Sequence, residues 1–129
     1  MKYLFTLFLS IGIMMAHSQS GLPRLESMDM LEYGMPVKKI TVKDDITIAY
    51  TDTGKGDEVI LFIHGLASYI PAWKKNISEL QHDYRCIAID LPGYGRSSKG
   101  NYAGSMSFYA ECVKLFCEKT AISRVHIAG

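Results

Sequence analysis

The pattern of apolar and polar positions predicts a sheet-forming chain with two inserted helices. From Val37 onward, "VKKITV" and "ITIAYTDTG" alternate in polarity and meet at Asp44-Asp45, which predicts two strands paired antiparallel through a short link. The glycine-rich turn "TGKGDE" follows, and then "EVILFIHG", a continuous apolar run of the kind found in a strand covered on both faces. Pro71 can open a helix in which Trp73, Ile77 and Leu80 recur at i, i+4 and i+7, so that helix packs by one side. "YRCIAID" is a second buried-strand pattern, followed by the Gly- and Pro-dominated loop "LPGYGRSSKGNYAGS". In "SMSFYAECVKLFCEKT" the residues Phe108, Tyr109, Cys112, Val113, Phe116 and Cys117 form one apolar stripe, with Ser105 or Ser107 placed to cap the helix start. "RVHIAG" reads as a third buried strand. The order strand, strand, then strand-helix-strand-helix-strand predicts an α/β fold with right-handed parallel crossovers.

Upstream of Val37 the pattern changes. Residues 19–36 hold Gly21, Pro23, Gly34 and Pro36 and show little periodicity, which predicts an irregular lead-in. "MKYLFTLFLSIGIMMAHSQS" has one Lys, a run dominated by apolar residues from Tyr3 to Ala16, and small residues at Ala16 and Ser18. That is the layout of a secretory signal peptide over 1–18 with cleavage near Ser18, and it predicts a secreted or periplasmic protein. The run falls short of the about 20 apolar residues that span a membrane, so no stable anchor is expected after cleavage.

The remaining chain is balanced in charge. Of 14 Lys and Arg against 13 Asp and Glu, cleavage removes Lys2 and no acid, leaving 13 of each. A zero balance argues against a nucleic-acid partner, which requires a basic face. The three cysteines, Cys86, Cys112 and Cys117, cannot form a fully paired framework. Cys112 and Cys117 would point about 140° apart on one helix. Buried apolar thiols are the expected state.

In a parallel sheet the chemistry gathers at the carboxyl ends of the strands. At the first such end, "HGLASY" (64–69), a glycine permits a tight turn after which main-chain N–H groups can face a developing negative oxygen. The same residues also fit a plain strand-to-helix turn with His64 as a hydrogen-bonded structural residue. At the second end, "DLPGYGRS" (90–97), Gly93 and Gly95 with Ser98 suggest a dinucleotide loop. That fingerprint needs a third Gly or Ala, where Ser98 stands, and a helix opening straight from the loop, and neither is present. Asp90 at the strand tip can be catalytic or can hold the loop through backbone N–H groups, and the second role is the expected one.

Taken together, "VILFIHGLASY" and "YRCIAIDLPGYGRSS", in that order and followed by an amphipathic helix and "VHIAG", resemble the α/β-hydrolase family over about residues 37–129. The first segment is similar to the family's oxyanion-loop strand and the second to its D-x-P-G-x-G-x-S segment. The resemblance implies the N-terminal part of an α/β-hydrolase sheet. It assigns the Leu66 main-chain N–H to the oxyanion hole, with His64 and Gly65 supporting that loop, and Asp90, Gly93 and Gly95 shaping the loop beside it. It implies a small-molecule substrate, an ester or a related bond, and neither a metal nor an organic cofactor.

In this family the strand after the second helix, here "RVHIA", leads into the G-x-S-x-G nucleophile elbow. Gly129 matches its first glycine, the nucleophile would come two residues later, and the acid and base histidine later still. No G-x-S-x-G or S-x-x-K occurs within 1–129. His17 lies in the leader, His82 in a polar turn and His126 in the last strand, so none suits the base. Residues 1–129 alone are therefore expected to be catalytically silent. With "RVHIA" as an unprotected apolar edge, they are also expected to aggregate or to form a molten state. The nucleophile can be Ser or, as in haloalkane and epoxide hydrolases, Asp. A non-catalytic remnant that binds a partner and a nucleotide-binding α/β module are the other readings.

Overall fold

The structure is a computed structural model and describes residues 27–129. The leader at 1–18 and the first residues of the lead-in lie outside the described residues. Five strands form one sheet: β1 (Lys38–Lys43), β2 (Ile46–Asp52), β3 (Val59–Ile63), β4 (Arg85–Asp90) and β5 (His126–Ala128), in the spatial order β1-β2-β4-β3-β5. β1 pairs antiparallel with β2 through a turn at Asp44, whose φ of 41° is left-handed. β2 pairs antiparallel with β4, while β3 runs parallel to both β4 and β5. The expected α/β architecture with an antiparallel pair and parallel crossovers is therefore present.

The helices lie on opposite faces because the strands alternate. Ile87 and Ile89 of β4 and Leu61 of β3 face one side, where they join Ile48, Cys112 and Phe116 in one apolar cluster. Cys86 and Ala88 of β4 and Phe62 of β3 face the other, with Ile70 and Ile77. This period-two division of a fully apolar strand is what coverage on both faces requires. Helix α1 (Lys74–Leu80) is preceded by a 3-10 turn, Ile70–Trp73, so the helix predicted from Pro71 begins one turn later as α-helix. Helix α2 (Met106–Lys119) starts at Ser105, whose hydroxyl accepts from the Phe108 N–H at 3.2 Å. The Phe116 ring meets Tyr50 of β2 edge-to-face at 5.2 Å.

The expected third buried strand differs. Ile127 of β5 is 64% exposed, because α2 packs across β1 and β2 and does not cover β5. All three cysteines are free thiols, Cys86 and Cys112 buried and Cys117 partly so.

One ion pair ties β2 to β4. Arg85 donates through Nε to Asp52 Oδ1 at 3.0 Å and through Nη2 to Oδ2 at 2.8 Å. These bonds, foremost among several causes, hold the Asp52 carboxyl below its ordinary value. A carboxyl lowered in the folded state contributes fully above its unfolded value of about 3.9, and the contribution drains away as pH falls through the folded value. Replacing Asp52 by Asn in the full-length protein is expected to cost about 1–2 kcal/mol at pH 7. It should also flatten the loss of stability below pH about 4, as urea titrations at pH 7 and pH 3 would measure.

Candidate functional site

β3 ends at Ile63, and the next residue, His64, is buried to 4% exposure. Its ring makes two hydrogen bonds of opposite sense. Nδ1 lies 2.8 Å from the Gly65 carbonyl, a contact in which only the ring can donate, and Nε2 accepts from the Leu91 N–H at 3.0 Å. The imidazole edge also meets the Tyr94 ring at 5.0 Å. With both nitrogens engaged, His64 joins the turn after β3 to the loop after β4 and has no position left for moving a proton to or from a substrate.

Gly65 is not the residue that bends the chain. The left-handed position is Ala67, at φ 57°, an uncommon state for a residue with a Cβ. A Cβ built on Gly65 meets nothing within 4 Å, so what the missing side chain leaves there is open space above the turn. Such openness suits close approach of a ligand to the backbone. Among the described residues the Leu66 N–H donates to no other group, and the Leu66 side chain is 89% exposed. Replacing Ala67 by Gly should change the melting midpoint little, because relief of about 1 kcal/mol of left-handed strain offsets the extra chain entropy lost on folding. Val at the same position is expected to cost about 2 kcal/mol or more; thermal melts of the two full-length variants measure the difference.

Asp90, at the end of β4 and fully buried, accepts at both oxygens. Oδ1 takes the Ile70 N–H at 2.8 Å; Oδ2 takes the Arg96 N–H at 2.8 Å and the Tyr33 hydroxyl at 2.5 Å. One carboxylate thus joins the lead-in, the first residue after 64–69 and the loop that follows β4. Together with the Leu91–His64 bond it fixes both ends of the 64–70 turn. Ser97 continues the network, donating to the Asp90 carbonyl and accepting from the Ala49 N–H at 2.8 Å.

Gly93 and Gly95 adopt φ of 91° and 45°. Around them most N–H groups are already used: Gly93 donates to Ser98, Tyr94 to Leu91, Arg96 to Asp90, Ser97 to Tyr94 and Ser98 to Thr47. Ser98 Oγ accepts from the Thr47 N–H at 3.0 Å, and α2 starts only at Met106. A loop with most of its amides spent internally, and no helix opening from it, lacks the row of converging N–H groups that cradles a phosphate.

Between the turn and α2 lies a cleft of about 880 Å³, walled by Leu66, Leu91, Tyr94, Met106 and Tyr109 and reaching along α2 to Ile127. The lining is mostly apolar, with polar groups from His64, Lys114 and the tyrosines Tyr94 and Tyr109. No nucleophile-base pair occurs among the described residues. Burial pushes all three thiols up, away from the thiolate, and His126 Nε2 lies 3.4 Å from Glu58 at an exposed edge. Sequence reasoning missed Tyr33, Ala67 and Ser97. Of these Ser97 and Ala67 lay within the quoted loops "DLPGYGRS" and "HGLASY", while Tyr33 left no trace.

A mixed sheet with a tight turn after one parallel strand and an aspartate-anchored glycine loop after the next is the N-terminal layout of an α/β hydrolase fold. The chain belongs to the α/β hydrolase fold family, whose model matches residues 58–129. It is similar to the dihydrolipoyllysine-residue acetyltransferase component of the acetoin cleaving system of Cupriavidus necator, at 35% identity over 86 residues, covering 67% of this chain and 23% of that protein. It is 32% identical over 89 residues to the 2-hydroxy-6-oxononadienedioate/2-hydroxy-6-oxononatrienedioate hydrolase of Escherichia coli K12, covering 65% of this chain and 31% of that one. The crystal structure of a membrane phospholipase A, a novel bacterial virulence factor, superposes with a TM-score of 0.69 at 31% identity, covering 75% of this chain and 32% of that one. The chain thus spans between 23% and 31% of the length of these curated relatives.

Proposed function

We propose that the full-length protein hydrolyses an ester, or a related acyl bond, of a small molecule whose group nearest the Leu66 turn is apolar. The observation that carries this reading is the register of the parallel strands: Phe62 of β3 stands level with both Ala88 and Ala128. Gly129 therefore leaves β5 beside the end of β3, where the Leu66 N–H lies. A nucleophile two residues further on would attack the substrate carbonyl carbon, and the electron pair would move to the carbonyl oxygen. The Leu66 N–H would donate to that oxyanion and the N–H after the nucleophile would supply the second bond. Collapse of the tetrahedral intermediate then expels the alcohol, and water releases the acid.

In this reading the described residues supply one oxyanion donor and the apolar wall of the cleft. Residues 19–129 alone, holding neither nucleophile nor base, are silent, and no metal or organic cofactor takes part. The leader over 1–18 would carry the protein across a membrane, and the mass of the mature N-terminus tests cleavage near Ser18.

The activity is tested with the full-length protein on aryl esters of increasing acyl length. Turnover that strengthens from acetate to longer apolar chains supports the reading. Absence of ester turnover together with release of halide from a haloalkane, or of a diol from an epoxide, would replace it with the Asp-nucleophile chemistry.

A further inference from the structure

We infer that Tyr33 is a positioning residue for the oxyanion turn, so that the lead-in ahead of β1 acts as a strap on the site. The inference rests on the proposed hydrolytic role of the Leu66 N–H. Tyr33 lies outside the 58–129 match, yet it is 3% exposed. Its hydroxyl donates to Asp90 Oδ2, whose partner oxygen Oδ1 receives the Ile70 N–H. Ile70 directly follows the turn that carries Leu66, so the phenol reaches the oxyanion donor through one carboxylate and the short turn, residues 66–69, that the Ile70 N–H closes.

Two further observations show that the strap is built to stay in place. The Arg96 guanidinium lies over the Tyr33 ring at 4.4 Å, a cation-π contact, and Nη2 of the same side chain donates to the carbonyls of Asp29 at 2.8 Å and Leu31 at 2.5 Å. Arg96 thus grips the lead-in on either side of Glu32 while its own N–H holds Asp90. Burial and the neighbouring Asp90 also push the Tyr33 phenol up, so at neutral pH it stays protonated and a donor. Without the phenol, Asp90 Oδ2 would keep only the Arg96 N–H, and the carboxylate would be free to rotate away from Ile70.

The test is Tyr33→Phe in the full-length protein, which keeps the ring under Arg96 and removes only the hydroxyl. Amide hydrogen exchange is expected to quicken roughly tenfold at Ile70 and Arg96 while Leu61 and Ile87 in the strands stay unchanged. The Leu66 amide resonance should shift. With an aryl ester, kcat should fall roughly tenfold at unchanged KM, the signature of a displaced oxyanion donor.

Uniformly faster exchange across the sheet, an unmoved Ile70, or a loosened Ile70 with unaltered kcat would each confine Tyr33 to general stability and overturn the inference. If the full-length protein hydrolyses no ester, the proposed function fails, while Ile70 exchange and the Leu66 resonance still decide the coupling. If Tyr33→Phe does not fold, Arg96→Lys decides, since it releases the lead-in but keeps the phenol and the Arg96 N–H. The same exchange pattern at a smaller amplitude then supports the strap, and unchanged Ile70 exchange overturns it.

Discussion

Replacing Asp90 by Asn is expected to cost the full-length protein about 3–4 kcal/mol of stability, against a total of about 5–15 kcal/mol for a typical domain. The substitution preserves size and shape, so the loss isolates the hydrogen bonding. Asn can still accept the Ile70 N–H at its single oxygen, but its amide nitrogen then faces the Arg96 N–H, donor against donor in a buried site, and the Tyr33 hydroxyl must turn from donor to acceptor. Asp45→Asn, in the exposed β1–β2 turn, is the control and should lie within about 0.5 kcal/mol of wild type. Urea denaturation of both variants measures the difference; an Asp90→Asn loss below about 1 kcal/mol would mean that the carboxylate does not hold the junction.

The second large effect is expected at Gly95. A Cβ there would overlap the Asp90 carboxylate and stand 2.5 Å from the Tyr33 hydroxyl oxygen, on a backbone at φ 45°. Gly54 provides the comparison: its φ of 70° is equally left-handed, but a Cβ there meets nothing within 4 Å. Both Gly-to-Ala changes carry the backbone cost of about 1–2 kcal/mol, so the excess at Gly95 reports the collision. Gly95→Ala is expected to lose about 3 kcal/mol or more in total, and thermal melts of the pair test it. Equal losses at the two positions would show that the junction can shift to make room.

Much of this arrangement was legible in the sequence, for reasons particular to each element. β3 and β4 stand out because a strand covered on both faces must be apolar at successive positions, and α2 because one stripe and a capping serine mark its face and its start. Asp90 could be read as a loop anchor since a carboxylate at a strand tip has backbone donors near it. Tyr33 could not be read: its partner is 57 residues away, and an aperiodic lead-in gives an aromatic residue no face to point from. Ala67 was hidden for the opposite reason, because left-handed turns favour glycine and Gly65 stands only two residues away. The exposure of β5 was also misjudged, since an apolar run reports a preference for burial and not whether a layer covers it.

The register between β3 and β5 also sets a time. β3 is complete at Ile63, but its partner on the side away from β4 begins at His126. At a synthesis rate of about 5–20 residues per second, the ribosome needs roughly 3–12 s to make the intervening segment. Until β4 is made both flanks of this apolar strand are open, and from then until β5 one still is, long enough for many encounters with another chain. A holding chaperone, or the ribosome surface itself, would have to shield Val59–Ile63 during that interval.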